Sequence, residues 1–148
     1  MENLNIIKFD LRIADNGRLP KREHIWDAGA DVFAPYDFEL EPHCTHRFPL
    51  GFGVQVKPGF YGKICERGSM AIKGISCAPN PIDADYTGQV HAVLTNHGLG
   101  TYCIKEGDKI GQLLIEPVHI TGFITEDGEQ APIPTERRGT GAFGSTGK

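Results

Sequence analysis

Residues 80–90 read NPIDADYTGQV and bring two carboxylates and a phenol onto one short segment between apolar runs. If a strand enters through Ile82 and another leaves through Val90, the pair forms a rigid hairpin that holds Asp83 and Tyr86 at its turn. A carboxylate held within hydrogen-bond reach of a substrate can act as a general base. Asp, Gly and Thr are also ordinary turn residues, so the segment alone fits a catalytic turn and a plain surface turn equally well.

Three further segments place polar side chains next to glycine or at the start of an apolar run. AGADVFA carries Asp31, ERGSMA carries Arg67 and Ser69 beside a one-turn helix, and GDKIGQL leads into a strand with Gln112 as a neutral donor. An arginine with backbone amides at a helix start can bind phosphate, although an arginine in that position is more often a solvated charge. These segments are therefore candidates for phosphate or metal binding.

The segment at residues 138–148, RGTGAFGSTGK, is too rich in glycine and polar residues to pack a core. One interpretation is a disordered tail. The other is an anion-binding arm, in which glycines let backbone N–H groups converge on phosphate oxygens while Arg138, Ser145 and Thr146 add side-chain donors. A P-loop is excluded, because its first glycine would have to stand where the chain has Ala142.

The hydrophobic pattern indicates a single all-β domain. Short runs of alternating apolar and polar residues are separated by glycines and prolines, which favours a sandwich, jelly roll or barrel over a parallel sheet. A helical turn is predicted over residues 69–73. Strands are predicted over residues 7–13, 52–56, 61–65, 90–94, 101–104 and 112–118. The composition changes after about residue 125, so we predict a β core over residues 1–125 and a flexible glycine-rich arm over residues 126–148.

Composition and charge limit the function classes. The net charge of −4 argues against a bulk electrostatic affinity for duplex DNA or an anionic membrane. No apolar run approaches the roughly 18 residues of a membrane span, and the first ten residues do not resemble a secretion leader. Four scattered cysteines without a CxxC pair indicate reduced thiols. We expect a cytoplasmic protein that binds neither nucleic acid nor membrane.

Taken in order, AGADVFA, ERGSMA, IDADYTGQV, GDKIGQL and RGTGAFGSTGK resemble the five motifs of the trimeric deoxyuridine triphosphate nucleotidohydrolases, the dUTPases. Each motif alone is weak, but five in the family's order and approximate spacing are highly specific. The resemblance implies an all-β, jelly-roll-like β-clip fold with one short helix, and a homotrimer whose active sites are shared between subunits. It also implies hydrolysis of dUTP to dUMP and pyrophosphate with Mg²⁺, by water attack at the α-phosphorus. This reaction keeps uracil out of DNA and supplies dUMP for dTMP synthesis.

The resemblance assigns roles to the residues around the turn. Asp83 corresponds to the general base that orients and deprotonates the attacking water. Tyr86 corresponds to the residue that packs on the deoxyribose and leaves no room for a 2′-hydroxyl. Main-chain groups of Pro81, Ile82, Asp83 and His91 correspond to those that read the uracil edge, since a mismatched base would leave buried polar groups unpaired.

The other motifs correspond to contacts with the triphosphate and its metal ion. Arg67 and Ser69, with Gly68 between them, and Gln112 match the phosphate-binding positions. Asp31 matches the acid that holds metal-bound water, which suits Mg²⁺ because this ion prefers phosphate oxygens and retained waters.

The last motif corresponds to an arm that closes over the bound nucleotide. Arg138 matches the residue on the terminal phosphate, and Phe143 matches the ring that covers the base. Gly144, Ser145 and Thr146 complete the closing segment.

The chain departs from the family pattern at four places. Gly68 replaces a serine, so one hydroxyl to the phosphates is lost, and Ala142 replaces a glycine of the arm. Cys77 stands where many members have an asparagine that contacts the base, and a thiol is a weak hydrogen-bond partner. Asn80 and Pro81 replace the usual glycine followed by valine or threonine, and proline has no N–H to offer the base. We expect these changes to affect fine specificity and rate more than reaction class.

Two other interpretations remain at this stage. A dCTP deaminase shares the fold, but its catalytic glutamate would fall at Val93, which has no carboxylate. A non-catalytic β-sandwich module or dUTPase-like regulator is the other alternative. The retention of Asp83, Tyr86 and the arm favours a catalytic protein.

Overall fold

The computed structural model describes residues 9–10, 17–144 and 147. Within these residues the chain forms ten β-strands and one short α-helix. In chain order they are β1 (Phe9–Asp10), β2 (Ala30–Phe33), β3 (Phe38–Leu40), β4 (Thr45–Pro49), β5 (Gly53–Val54), β6 (Phe60–Cys65), α1 (Gly68–Ala71), β7 (Ile75–Cys77), β8 (His91–Asn96), β9 (Tyr102–Ile104) and β10 (Lys109–Pro117).

The strands pair in an antiparallel manner throughout the described part of the chain. Two sheets have three strands each, in the orders β2-β10-β6 and β4-β8-β7, and two have two strands each, β1-β5 and β3-β9. The prediction of an all-β fold with one short helix is therefore confirmed.

Strand β8 shows how the sequence pattern builds the core. Ala92, Leu94 and Asn96 face inward, whereas His91 and Val93 face outward, which is the alternation of a half-buried strand. The Asn96 amide donates two hydrogen bonds of 2.8 Å to backbone carbonyls. This buried polar side chain therefore has the partners that its burial requires.

Helix α1 is fixed by burial at one position and is followed by a glycine. Met70 is its buried residue, and Gly74 has a φ of 76°, a left-handed conformation that glycine adopts without steric cost. The predicted helical turn is confirmed, although it begins one residue earlier than expected. In the described part of the chain, no helix is long and apolar enough to cross a bilayer.

Alternation located the longest strands and also the short strands β5 and β9, which lie within the predicted runs over residues 52–56 and 101–104, but it missed β2, β3, β4 and β7. Strands β6, β8 and β10 lie close to predicted runs. Strands β3 and β7 have only three residues each, too few to show a period, and β4 ends in Pro49, which lacks the N–H of a ladder hydrogen bond. The predicted strand over residues 7–13 lies mostly outside the described residues.

The predicted boundary between core and arm lies in a tight turn. The Thr125 N–H donates to the Glu129 carbonyl at 2.8 Å, and the Gly128 N–H donates to the Thr125 carbonyl at 2.9 Å. Most side chains from residue 126 onward are exposed, so the arm contributes little to the core.

Candidate active site

The turn that carries Asp83 is fastened at both ends by isolated backbone bridges. It is closed by a 3.1 Å hydrogen bond from the Tyr86 N–H to the Asp83 carbonyl. Before the turn, Ile82 exchanges two hydrogen bonds of 2.6 and 2.9 Å with Gly62 in β6. After it, Tyr86 pairs in parallel with Gly139 of the C-terminal arm.

The hairpin predicted around this turn is wrong in its pairing. The entering segment at Ile82 pairs with β6, whereas β8 begins at His91 and pairs with β4 and β7. The reason lies at Gly62, where an added Cβ would lie 3.3 Å from the Cβ of Ile82. A residue without a side chain lets the two backbones approach this closely.

A cavity of about 210 Å³ lies beside the turn. This volume is below the roughly 300–1,000 Å³ of pockets for drug-sized ligands, so the cavity suits one flat ring better than a whole nucleotide. The predicted site residues in its lining are Pro81, Ile82, Asp83, Tyr86, His91, Arg138 and Phe143.

Tyr86 forms a fixed wall of this cavity. Its side chain is buried, and its hydroxyl donates a 2.6 Å hydrogen bond to the Gln89 carbonyl. A Cβ at Gly88 would lie 2.5 Å from the hydroxyl, so the ring occupies space that the glycine leaves free. Burial also raises the pKa of Tyr86, which keeps the hydroxyl protonated as a donor.

The arm is tied to the turn through both carboxylates. Arg138 Nε lies 2.7 Å from Asp83 Oδ2, and the Arg138 backbone N–H donates to Asp85 Oδ2 at 2.6 Å. The Thr87 N–H donates to the Gly139 carbonyl at 2.7 Å. The guanidinium predicted to meet a phosphate therefore contacts the predicted base in this structure, while Asp85 holds the arm's backbone.

Phe143, which lines the cavity, packs against the side chains of Arg47 and His91. The Arg47 Cζ lies 4.7 Å from the centroid of its ring, and the His91 ring meets it edge to face at 5.3 Å. Burial lowers the pKa of His91, and the nearby charge of Arg47 lowers it further. Arg47 lies outside all five motifs, so motif matching could not have found it.

A second group of predicted residues lies on the sheet β2-β10-β6. Gln112 is paired with Asp31 on one side and with Cys65 on the other, and directly opposed residues share a face. Gln112 Nε2 donates to the Glu66 carbonyl at 3.1 Å. An added Cβ at Gly29 would lie 2.3 Å from Gln112 Oε1, so this glycine makes room for the amide.

Asp31 is held between two cations. Its Oδ1 lies 3.0 Å from Arg67 Nε, and its Oδ2 lies 2.9 Å from Lys109 Nζ. Lys109 also pairs with Glu23 at 3.0 Å. The sequence indicated Asp31 and Arg67. Lys109 lies within the GDKIGQL segment, but the sequence assigned it no role, because its partners lie far away along the chain.

The residues of this second group lie around a second cavity of about 390 Å³. The predicted residues in its lining are Asp31, Arg67, Gly68, Ser69 and Gln112. In the described part of the chain, no residue lines both this cavity and the one beside Asp83.

The structure thus gathers the predicted residues into two groups rather than one. Gly144, in a left-handed conformation with a φ of 100°, lines neither cavity. Ser145 and Thr146, which were predicted to complete the closing arm, lie outside the described residues.

The departures from the family motifs have distinct structural settings. Cys77 is a core residue whose Sγ donates to the Ile64 carbonyl at 3.6 Å, and burial raises its pKa to about 12. Cys77 is not among the residues that line the cavity beside Asp83.

The N–H and carbonyl of Ile82 are both hydrogen-bonded to Gly62, so Ile82 offers the cavity its side chain rather than these groups. A Cβ at Gly68 would meet no atom within 4 Å.

The side chains of this group fit a cation that is bound through water better than one that is ligated directly by several side chains. The described residues contain no cluster of three or more His, Cys, Asp or Glu side chains that could hold a metal ion. Each carboxylate oxygen of Asp31 contacts one cation, Oδ1 with Arg67 and Oδ2 with Lys109. Because a carboxylate has about four lone-pair sites, these two contacts do not use all of them. Asp31 therefore keeps acceptor capacity for a water molecule.

Known proteins are similar to this chain in sequence and in fold. The family model described as dUTPase matches residues 15–147. The deoxyuridine 5′-triphosphate nucleotidohydrolase of Candida glabrata is 34% identical over 97% of this chain and 98% of its own length, and that of Candida albicans is 36% identical over 100% and 92%. A mutant dUTPase of Staphylococcus bacteriophage 80alpha, solved with dUpNHpp, has a TM-score of 0.77 at 25% identity and covers 98% of this chain and 100% of its own. The chain belongs to the dUTPase family.

Proposed function

We propose that this protein hydrolyses dUTP to dUMP and pyrophosphate, which removes a source of uracil in DNA and supplies dUMP for dTMP synthesis. The observation that carries the proposal is the placement of Asp83 on a fastened turn at the rim of a ring-sized cavity. Tyr86 and the arm residues Arg138 and Phe143 line the same cavity. Membership of the dUTPase family supports dUTP as the substrate.

In the proposed reaction, Asp83 accepts a proton from a water molecule as the water oxygen attacks the α-phosphorus. The new bond joins the water oxygen to phosphorus. The bond from the α-phosphorus to the bridging oxygen breaks, and pyrophosphate leaves with the electron pair. Arg138, now paired with Asp83, exchanges the carboxylate for the terminal phosphate when the nucleotide binds, because a guanidinium binds phosphate as well as carboxylate.

We propose that the cavity beside Asp83 holds uracil, and that the deoxyribose lies against Tyr86 in its wall. Tyr86 is fixed by its bond to Gln89, so its ring cannot swing aside for a 2′-hydroxyl. The Pro81 carbonyl and the main chain at Asp83 and His91 face the base, and Phe143 covers it. Ile82 contributes an apolar wall.

The second cavity supplies the proposed triphosphate site. Arg67 and Ser69 provide donors, Gly68 leaves open space, and Gln112 adds a neutral donor. A bound Mg²⁺ would neutralise phosphate charge, with Asp31 holding water on the ion. Removal of divalent ions with EDTA should therefore abolish hydrolysis, and added Mg²⁺ should restore it.

We infer that the protein works as a homotrimer with active sites shared between subunits. Two observations support this assembly. First, the cavity beside Asp83 (the base cavity) and the second cavity around Asp31 and Arg67 (the phosphate cavity) share no lining residue. Second, large apolar side chains are exposed where the chain leaves the core. Exposed apolar clusters commonly mark protein interfaces. These side chains are Ile120, Phe123, Ile124 and Ile133.

The same proposal gives the two parts of the chain separate roles. Residues 1–125 form the β core, which carries the second cavity and part of the cavity beside Asp83. Residues 126–148 form an arm that adds Arg138 and Phe143 to the cavity beside Asp83, and in which Gly144, Ser145 and Thr146 complete the closure over the nucleotide. A cytoplasmic location suits the four free cysteines.

A product assay tests the proposed activity. The protein is incubated with Mg²⁺ and dUTP, dCTP or dTTP, and the products are separated by chromatography. We expect dUMP and pyrophosphate from dUTP alone. Ammonia from dCTP, or no turnover of any nucleotide, would contradict the proposal.

A further inference from the structure

Arg47 lies on the outward face of the sheet β4-β8-β7 and contacts Phe143, which lines the base cavity. It is paired directly with Val93, and the neighbouring pair on the same face joins Pro49 to His91. Arg47 and His91 are therefore diagonal neighbours across two strands, close enough for long side chains to act together. Arg47 is exposed, so it is not needed to fill the core.

The side chain of Arg47 is directed at an aromatic ring. Its Cζ lies 4.7 Å from the centroid of the Phe143 ring, within the roughly 6 Å over which a cation is attracted to a ring face. The described residues place no carboxylate within ion-pair distance of Arg47. Its guanidinium is thus available to hold the ring.

Phe143 needs such a contact because little else fixes it. It is 54% exposed, and its φ of 49° is a left-handed conformation that is uncommon for a bulky residue. His91 meets the ring edge to face at 89°. The ring is therefore held by Arg47 and His91, both of which come from the core rather than from the arm.

The charge of Arg47 also reaches the cavity wall. It lowers the pKa of His91, where it adds to the effect of burial, and it partly offsets the rise that burial causes in the pKa of Tyr86. Two residues that line the cavity thus experience this cation.

We propose that Arg47 is a positioning residue that sets where Phe143 closes over the base cavity, and that it thereby determines the affinity for deoxyuridine nucleotides. The nucleotide part of this inference rests on the function proposed above. The arm-docking part depends only on the contact between Arg47 and Phe143.

The test compares Arg47→Met, which keeps an unbranched, flexible side chain but removes the charge, with Arg47→Lys, which keeps a cation. A cation–π contact at an exposed site is worth about 0.5–1 kcal/mol, which is about a two- to fivefold change in equilibrium. We expect Arg47→Met to raise the KM for dUTP and the Kd for dUpNHpp by about two- to fivefold with a smaller change in kcat, and Arg47→Lys to recover part of the loss.

A matched control is available at Lys73. Its Nζ lies 5.9 Å from the centroid of Tyr102, so Lys73→Met removes a cation–π contact outside both cavities. This control should leave the KM, the Kd and the docking of the arm unchanged.

A double-mutant cycle and a nucleotide-free measurement complete the test. In a Phe143→Leu background, Arg47→Met should have no further effect on Kd, because the two residues act as one contact. Without nucleotide, Arg47→Met should also speed the tryptic release of the peptide that follows Arg138, measured by mass spectrometry.

The outcomes separate the two proposals. If the wild-type protein does not hydrolyse dUTP, the proposed function fails, while the proteolysis measurement still decides the docking role. If the wild-type protein hydrolyses dUTP but Arg47→Met leaves Kd and proteolysis unchanged, or if its effect adds fully to that of Phe143→Leu, the inference about Arg47 is overturned.

Discussion

At the scale of single residues, Asp83 and Asp85 stand in one turn and make different contacts with Arg138. Asp83 meets the guanidinium, which can exchange it for a phosphate, whereas Asp85 accepts the backbone N–H of the arm. A residue that must take up a proton needs a partner that can leave. The geometry therefore suits Asp83 for chemistry and Asp85 for attachment of the arm.

Substitution at these two positions tests the assignment. Asp83→Asn should lower kcat by about 10²–10⁴, the usual contribution of a general base, while dUpNHpp still binds. The isosteric control Asp85→Asn keeps an acceptor for the Arg138 N–H and should retain kcat within about tenfold. The measurements are steady-state hydrolysis and calorimetric titration. Near-normal turnover by Asp83→Asn would remove it from the role of base.

His91 makes the stability of the protein depend on pH. Burial and the charge of Arg47 lower its pKa below the ordinary value of 6.5, so the unfolded chain binds a proton there more readily than the folded one. The free energy of unfolding should therefore fall as the pH drops below 6.5. His46, whose pKa burial also lowers, acts in the same direction.

Urea titrations of the wild-type protein and of His91→Gln at about pH 7.5 and about pH 5.5 measure this effect. The loss of stability on acidification should be smaller in the variant, with the remainder attributable in part to His46. Equal losses in both proteins, or a ring titration of His91 by NMR above 6.5, would show that the imidazole is not desolvated as described.

At the scale of elements, α1 carries a position that can restore the family pattern. Gly68 begins the helix, and an added Cβ would meet no atom within 4 Å. Gly68→Ser should therefore fold normally and gain a few tenths of a kcal/mol, because glycine is a poor helix former. It should also tighten dUpNHpp binding, since Gly68 lines the proposed phosphate cavity and the added hydroxyl can donate a hydrogen bond there.

Calorimetry and urea unfolding check this prediction, and Gly68→Ala serves as the control that adds the Cβ without the hydroxyl. Both variants should gain stability, but only the serine should gain affinity. If both variants bind dUpNHpp alike, position 68 does not contact the phosphates.

The sequence predicted the elements whose evidence is local. Strands β6 and β10 and the helical turn at Met70 follow from periodicity within their own segments. The pairing of Ile82 with Gly62 and the contacts of Arg47 with Phe143 and of Lys109 with Asp31 could not be predicted this way. They join residues 20 or more positions apart, and no local pattern records which distant segment a turn or a charge will meet.

At the scale of the whole molecule, the proposed trimer and the two separate cavities together lead to a prediction about mixed assemblies. With the proposed roles, Asp83→Asn should disable the base cavity and Arg67→Met should disable the phosphate cavity. If each active site combines cavities from different subunits, trimers re-formed from a mixture of the two variants contain some sites with both cavities intact. Activity should then reappear on mixing, to a fraction of the wild-type level.

Hydrolysis of dUTP before and after co-refolding measures this complementation, and each variant refolded alone is the control. The absence of any regain, in mixed trimers verified by mass, would show that each chain builds its site from its own two cavities.

The bridge between Ile82 and Gly62 has a consequence for how base preference can evolve. It anchors the turn from the β6 side, whereas Asn80 and Pro81 face the cavity on the other. If this cavity binds the base as proposed, mutations at positions 80 and 81 should change which base is accepted while the anchor keeps Asp83 in place. Position 62 has no such freedom, because any side chain there would press on Ile82. In a lineage diverging toward new nucleotides, we expect the residues before the catalytic turn to drift and the glycine behind it to persist.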